Sequence, residues 1–371
     1  MPAAEAGAFL TVDLGALADN WRLIRDRSGA VECAAVVKAD AYGTGTEAAV
    51  PALAKAGCRT FFVAHLGEAR RVRAIAQDAT IYVLNGLLPG TEPVYRALAL
   101  RPILGSAGEI ADWAEFAAQT QDAPPAALHV DTGMNRLGLS VDEGLAMAGA
   151  LPFAPALLMS HFTSSEEFGA AATTAQIAAF QRLREAYPGV PASLANSSGV
   201  FLDPAPGLDL ARPGYALYGG NPTPEALNPM RPVVRLEATI IQTRDVPDGT
   251  LVGYNGRWIA RGPRRLATLC IGYADGYPRT ASAADAKIAS GVEAGVALVG
   301  GVRCPFAGSV SMDLIILDVT DASAEAARRG ARAVMIGDDL DIDEVGKRAG
   351  TVGYEILTSL GRRFARRYIG G

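Results

Sequence analysis

The chain has 371 residues, half of them hydrophobic and 20% charged, with 34 Lys and Arg against 39 Asp and Glu. That length suits two domains better than one, and a net charge of −5 without a basic stripe offers nucleic acid no electrostatic footprint. No run reaches the roughly 20 uninterrupted apolar residues of a membrane span, and the opening MPAAEAGAFL lacks the charged and apolar regions of a signal peptide, so a reduced, cytoplasmic protein is expected.

Eight short apolar runs mark the first two-thirds of the chain: Ala34–Val37, Phe61–Ala64, Ile81–Leu84, Pro102–Leu104, Ala127–Val130, Ala156–Met159, Ala192–Ala195 and Leu208–Ala211. Amphipathic, Ala-rich stretches such as Gly67–Ala76, Ala107–Ala118 and Ala172–Ala186 lie between them, with Ser106 and Thr173 as candidate caps. Strand–helix alternation at this spacing implies right-handed crossovers and a parallel sheet. Eight repeats fit a closed (β/α)8 barrel of the TIM type better than an open doubly wound sheet, though periodicity alone leaves both open.

The texture changes at the Pro- and Asn-rich segment 221–232, which reads as a linker. β-Branched runs follow at Val233–Gln242, Leu266–Gly272, Val296–Val299 and Leu314–Val319. A last helical period is expected over Tyr354–Tyr368, with Arg362, Arg363, Arg366 and Arg367 on its exposed face. The predicted organisation is an α/β protein. An N-terminal (β/α)8 barrel spans residues 11–228, and a mostly-β C-terminal domain spans 229–371 together with 1–10. The four cysteines have neither metal-ligand nor redox spacing, and the three histidines, His65, His129 and His161, share no ligand spacing, so no metal is expected.

The strongest local signal is Val37-Lys38-Ala39-Asp40-Ala41-Tyr42-Gly43. A lysine ending the first barrel strand points into the mouth where barrel active sites sit. Partial burial lowers the pKa of such an ammonium, as a nucleophilic, Schiff-base-forming lysine requires. The segment resembles the pyridoxal-phosphate attachment motif of the alanine racemases, Lys-Ala-Asn/Asp-Ala-Tyr-Gly-x-Gly. Lys38 through Gly43 and Gly45 match, and Thr44 stands where the family often has His. Further blocks resemble family motifs in the family's order: Asp131–Gly138, Ser160–Phe162, Ala195–Ser197, Arg212–Gly214, Ile271–Arg279, Ser311–Asp313 and Tyr354–Leu357.

The resemblance implies an isomerase that interconverts L- and D-alanine with pyridoxal 5'-phosphate and supplies D-alanine for peptidoglycan. Lys38 would carry the cofactor and act as the base on one face of the substrate, and Tyr273 as the base on the other. A free tyrosine, with a pKa of about 10, is a poor base unless a nearby cation lowers that value. Tyr273 would reach the lysine of a second subunit, making a homodimer with a shared active site. Arg212 would contact the pyridine nitrogen; an arginine donates to that nitrogen without protonating it, which favours return of the proton to Cα over transamination. Tyr42, Ser197, Gly214, Tyr215 and Tyr354 would hold the phosphate, and His161 would lie against the cofactor ring. Arg136 and the Met312 N–H, the latter from the partner, would receive the substrate carboxylate. Tyr277 and Tyr42 would narrow the entrance.

Two positions before Asp131, where family members commonly have a lysine, often carbamylated, this chain has His129. A neutral imidazole can accept a hydrogen bond from Arg136 but carries no negative charge. A compensating anion, chloride or a nearby carboxylate, is therefore expected. The alternative functions are a racemase of broader specificity for serine or basic amino acids, a decarboxylase of the same fold, which Arg212 disfavours, and a non-catalytic cofactor carrier, which Tyr273 on a second domain disfavours.

Overall fold

The computed structural model, which describes residues 3–30, 32–203, 208–285, 291 and 293–371, builds its barrel from short strands buried on both faces. These are β2 (Glu32–Cys33), β3 (Ala35–Val36), β4 (Thr60–Val63), β5 (Thr80–Val83), β6 (Arg101–Leu104), β7 (Ala127–His129), β8 (Leu157–Met159), β9 (Ala192–Ser193) and β10 (Leu210–Ala211). Strands β3 to β9 form a seven-stranded sheet in sequence order, every pair parallel, and β10 pairs with β2. The β2–β3 segment is one strand interrupted at Ala34, whose N–H donates to Ala211 O at 2.9 Å. Asp209 N to Ala192 O at 3.0 Å and Arg212 N to Ala195 O at 2.9 Å stitch β10 to β9, so the ring closes. Continuous apolar strands such as Phe61-Phe62-Val63, each fully buried, are what a sheet covered on both faces needs.

Three of the barrel helices, Leu14–Ser28, Ala107–Ala118 and Val141–Ala146, begin on side-chain caps that the sequence encodes. Ser106 accepts from Glu109 N, and Ser140 with Glu143 forms a reciprocal capping box. Thr173 is not a cap. It lies inside the helix Ala171–Ala186, and its hydroxyl donates to Ser164 O at 3.1 Å.

β1 (Ala8–Asp13) precedes the barrel but pairs antiparallel with β11 (Val234–Val246) and parallel with β19 (Ala365–Ile369). Between β11 and β19 lie the short pair β12 (Leu251–Val252) and β13 (Trp258–Ile259), then β14 (Arg264–Leu269), β15 (Val296–Val299), β16 (Val302–Pro305), β17 (Ile315–Asp318) and β18 (Arg332–Ile336). β1, β11 and β14–β19 make one eight-stranded sheet. The expected helix over Tyr354–Tyr368 is not formed. A helix covers only Gly353–Thr358, the backbone turns at Ser359–Gly361, and Ala365–Ile369 is a strand on β1. Pairing along β1 outweighs the helical spacing, and the arginine cluster consequently divides between a loop and a sheet edge. The segment 221–232 is fixed by side chains: Asn20 Oδ1 accepts from Arg231 N at 2.8 Å, and Asp343 Oδ2 accepts from Asn221 N at 2.9 Å. No helix among the described residues is long and apolar enough to cross a membrane.

Candidate active site

Lys38 follows β3 at the C-terminal mouth of the barrel. The next four residues turn left-handed, with φ of 53° at Ala39, 56° at Asp40, 52° at Ala41 and 52° at Tyr42, and none is glycine. Left-handed geometry costs an L-residue about 1–2 kcal/mol. Such strain persists where surrounding bonds over-determine it. Ala39 N donates to Glu68 Oε1 at 2.7 Å, Gly43 N to Ala39 O at 2.8 Å and Gly45 N to Asp40 O at 2.9 Å. The Asp40 carboxylate accepts from Thr46 N and Thr46 Oγ1, both at 3.1 Å, and from Arg71 at 2.6 Å. Burial, and then the Arg136 charge, lowers the pKa of the Lys38 ammonium, with Glu68 opposing.

Arg136, Arg212 and His161 gather at the same mouth. Burial holds the His161 imidazole down to about 3, reinforced by Arg212, Arg136 and Lys38 in that order. Arg212 is buried, donating to Ser160 O at 2.6 Å and to Ser193 Oγ, and burial pulls it down to about 10, still protonated at neutral pH. Among the described residues no carboxylate pairs with Arg212 or with the Arg136 guanidinium. Asp131, the acid nearest Arg136 in sequence, accepts instead from the backbone N–H groups of Gly133, Met134 and Arg136, shaping the loop that carries the arginine. A carboxylate compensating for His129 is therefore not found there.

After β9 and β10 the chain forms a small cradle. Ser197 Oγ accepts from Gly214 N at 3.1 Å and from Ala216 N at 3.2 Å. Tyr42 lies buried across it, stacked on Tyr218 at 4.6 Å, and Tyr218 donates to Val36 O at 3.0 Å. A Cβ on residue 214 would come within 2.4 Å of Tyr42 Oη, so glycine is required. Tyr354 stacks on Tyr215 at 3.8 Å. The Tyr215 hydroxyl donates to Asp343 at 2.6 Å, which fixes the ring that Tyr354 stacks on.

Tyr273 and Met312 sit on adjoining loops of the C-terminal sheet, 41% and 54% exposed. Of the two residues expected to narrow the entrance, Tyr277 is only 4% exposed in the single chain and packs on Phe306 at 5.7 Å, and Tyr42 is buried in the cradle.

Sequence reasoning missed several residues that hold this arrangement. Glu68 is one: its carboxylate accepts from Ala64 N at 2.8 Å and His65 N at 3.3 Å at the start of its own helix as well as from Ala39 N, and no cap residue before it signals this. Gln176 is another: its amide donates to His161 O at 2.9 Å and to Thr132 Oγ1 at 3.3 Å, and its carbonyl accepts from Thr163 N at 2.9 Å. It thereby ties the Arg136 loop to the His161 loop, a link that no local pattern announces.

Models of two domains match the chain: "Alanine racemase, N-terminal domain" over residues 12–222 and "Alanine racemase, C-terminal domain" over residues 233–368. The alanine racemase of Methylobacterium nodulans is 61% identical over 98% of this chain and 97% of its own length. The crystal structure of alanine racemase from Bartonella henselae with covalently bound pyridoxal phosphate has a TM-score of 0.90 at 36% identity, covering 98% of this chain and 100% of that one. The biosynthetic alanine racemase from Pseudomonas aeruginosa gives a TM-score of 0.89 at 36% identity, covering 98% and 99% respectively.

Proposed function

Given that this chain belongs to the alanine racemase family and interconverts L- and D-alanine with pyridoxal phosphate, we propose that Lys38 and Tyr273 carry the proton on opposite faces of the substrate. The residues present fit the cofactor. The cradle offers a phosphate group the hydroxyls of Ser197, Tyr42 and Tyr354 and the backbone at Gly214 and Tyr215, with a glycine exactly where a Cβ would collide. Arg212 is a buried cation without an acid partner among the described residues, and His161 stands beside it as a neutral imidazole. When bound, pyridoxal phosphate supplies the electron sink that makes the α-proton of an amino acid labile.

The chain's own groups do the rest. Lys38, whose charged form burial disfavours, would hold the cofactor, and its amine serves as a base at the substrate Cα. Arg136 receives the substrate carboxylate and so sets which face of Cα each base meets. Arg212 donates from a charge fixed by Ser160 O and Ser193 Oγ. Tyr273 and the Met312 N–H are contributed by a second copy of the chain, in a homodimer whose active sites are shared. In this reading the barrel, residues 11–228, presents the lysine, and the remainder, 229–371 with 1–10, presents the tyrosine. The enzyme works in the cytoplasm, and its D-alanine supplies peptidoglycan.

The observation that carries the reading is the convergence of Lys38, Arg136 and Arg212 on one histidine, His161, at one barrel mouth. Purified protein with added pyridoxal phosphate is expected to convert L-alanine to D-alanine in a chiral separation. Lys38→Ala should lower the rate by at least about a thousandfold, the scale of a lost acid–base and nucleophilic group. Turnover of L-serine, L-lysine or L-arginine at the alanine rate would show the broader specificity instead.

A further inference from the structure

Tyr273 follows β14 and Met312 precedes β17, so the two stand on separate loops. Backbone bonds join these loops: Tyr273 N donates to Ser311 O and Ala274 N to Met312 O, each at 3.0 Å. The approach is so close that a Cβ on Gly272 would lie 2.3 Å from Met312 O. Each loop also carries an acid beside its functional residue. Asp275 is buried, and its Oδ2 accepts from Gly272 N at 2.9 Å. Its Oδ1 faces Arg363 Nε at 2.9 Å, and Arg363 Nη2 donates to Asp313 Oδ1 at 2.8 Å. One guanidinium spans both loops.

The segment that carries this arginine is itself anchored. Gly361 N donates to Asp275 O at 2.9 Å, and Arg366 donates to Gly43 O at 2.7 Å and to Leu360 O and Gly361 O at 3.2 Å each. The clamp on the Tyr273 loop thus continues into the turn that follows Lys38.

We propose that Arg363 is a positioning residue for racemisation: by bridging Asp275 and Asp313 it holds the Tyr273 side chain and the Met312 N–H in a fixed mutual position. The proposal rests on the reading of Tyr273 as a base. Both loops end in half-exposed side chains, so packing alone restrains them weakly, and a planar guanidinium that bridges two carboxylates supplies direction as well as attraction. The half-exposed Arg363–Asp313 pair contributes little to global stability, whereas Asp275 is buried, so losing its cation costs stability. A displacement of about 1 Å at a reacting group, however, costs about a hundredfold in rate. Rate and stability should therefore respond differently.

The test uses the cofactor-loaded enzyme and three variants, Arg363→Met, Arg363→Lys and Asp313→Asn. Arg363→Met is expected to lower kcat about tenfold to a hundredfold with unchanged cofactor absorbance, and to lower Tm because Asp275 is left buried without its cation; Arg363→Lys should restore Tm and recover only part of kcat. Asp313→Asn, which removes only the exposed half of the bridge, should shift kcat in the same direction by less, and keeps the test open should Arg363→Met fail to fold. With α-deuterated alanine, the substrate isotope effect should rise only in the direction in which Tyr273 takes the proton. An isotope effect that rises in both directions or in neither, or a rate loss that merely tracks Tm and cofactor loss, overturns the proposal. A Tyr273→Phe enzyme of full activity would instead sink the assignment of Tyr273, whatever Arg363 does.

Discussion

His129 sits at the end of β7 with Arg212 and Arg136 on its charged side and Asp131 opposing them. Burial, followed by the Arg212 charge, holds its imidazole down to about 4, against 6.5 for a free side chain. Between those values the unfolded chain binds a proton that the folded one refuses. The stability tied to neutral His129 is thus fully present above about 6.5 and is lost as pH falls through about 4. His129→Gln, neutral at every pH, should show a smaller drop in Tm between about pH 7 and about pH 4 than the parent enzyme, as read by thermal denaturation. A slope equal to the parent's would mean that the imidazole is already charged in the fold. Residues of this kind were only half legible in the sequence. Lys38, Arg136 and Arg212 stood out because each lies in a motif, Lys38 and Arg212 just after a strand. Ser160 lies in a motif whose wording does not say that its carbonyl holds Arg212 from 52 residues away, and Ser193, which acts across 19, shows no pattern of its own.

The left-handed turn at Ala39–Tyr42 shows the same division among elements. An Ala-rich tetrapeptide without glycine predicts right-handed backbone, and only the tertiary bonds to Glu68, Thr46 and Arg71 reverse it. Asp40→Ala removes the carboxylate that receives two of these partners and should destabilise the enzyme by about 1–3 kcal/mol. Because the strained turn begins at Lys38, it should also lower kcat more than a surface Asp→Ala substitution on a barrel helix does; denaturant unfolding and initial rates measured together would check both effects. The barrel strands were legible because burial on both faces writes itself as a short apolar run. The final strand was not, since Ala365-Arg366-Arg367-Tyr368-Ile369 carries an exposed, charged edge whose only strong instruction is the neighbour it pairs with.

At the scale of the whole molecule, Lys38 belongs to the barrel mouth, and Tyr273 to a sheet that the barrel does not share. If the active site is built from two copies, Lys38→Ala and Tyr273→Phe chains, each inactive alone by about a hundredfold or more, should regain activity when co-expressed. A mixed dimer would put both lesions in one site and leave the other intact. Co-expression that yields mixed dimers, verified by tag, without activity would show that each chain completes its own site. The two-part architecture was legible because β-branched runs replace the strand–helix alternation after residue 232; the membership of β1 was legible only in part, since residues 1–10 read with the C-terminal domain while Thr11–Asp13, which continue the same strand, read with the barrel. That membership has a consequence for synthesis. β1 lies between β11 and β19, so during synthesis it is made long before either neighbour. The barrel can close on the nascent chain while this strand stays unpaired on both sides, and such a strand is where a stalled chain would be exposed to chaperones and to its own kind.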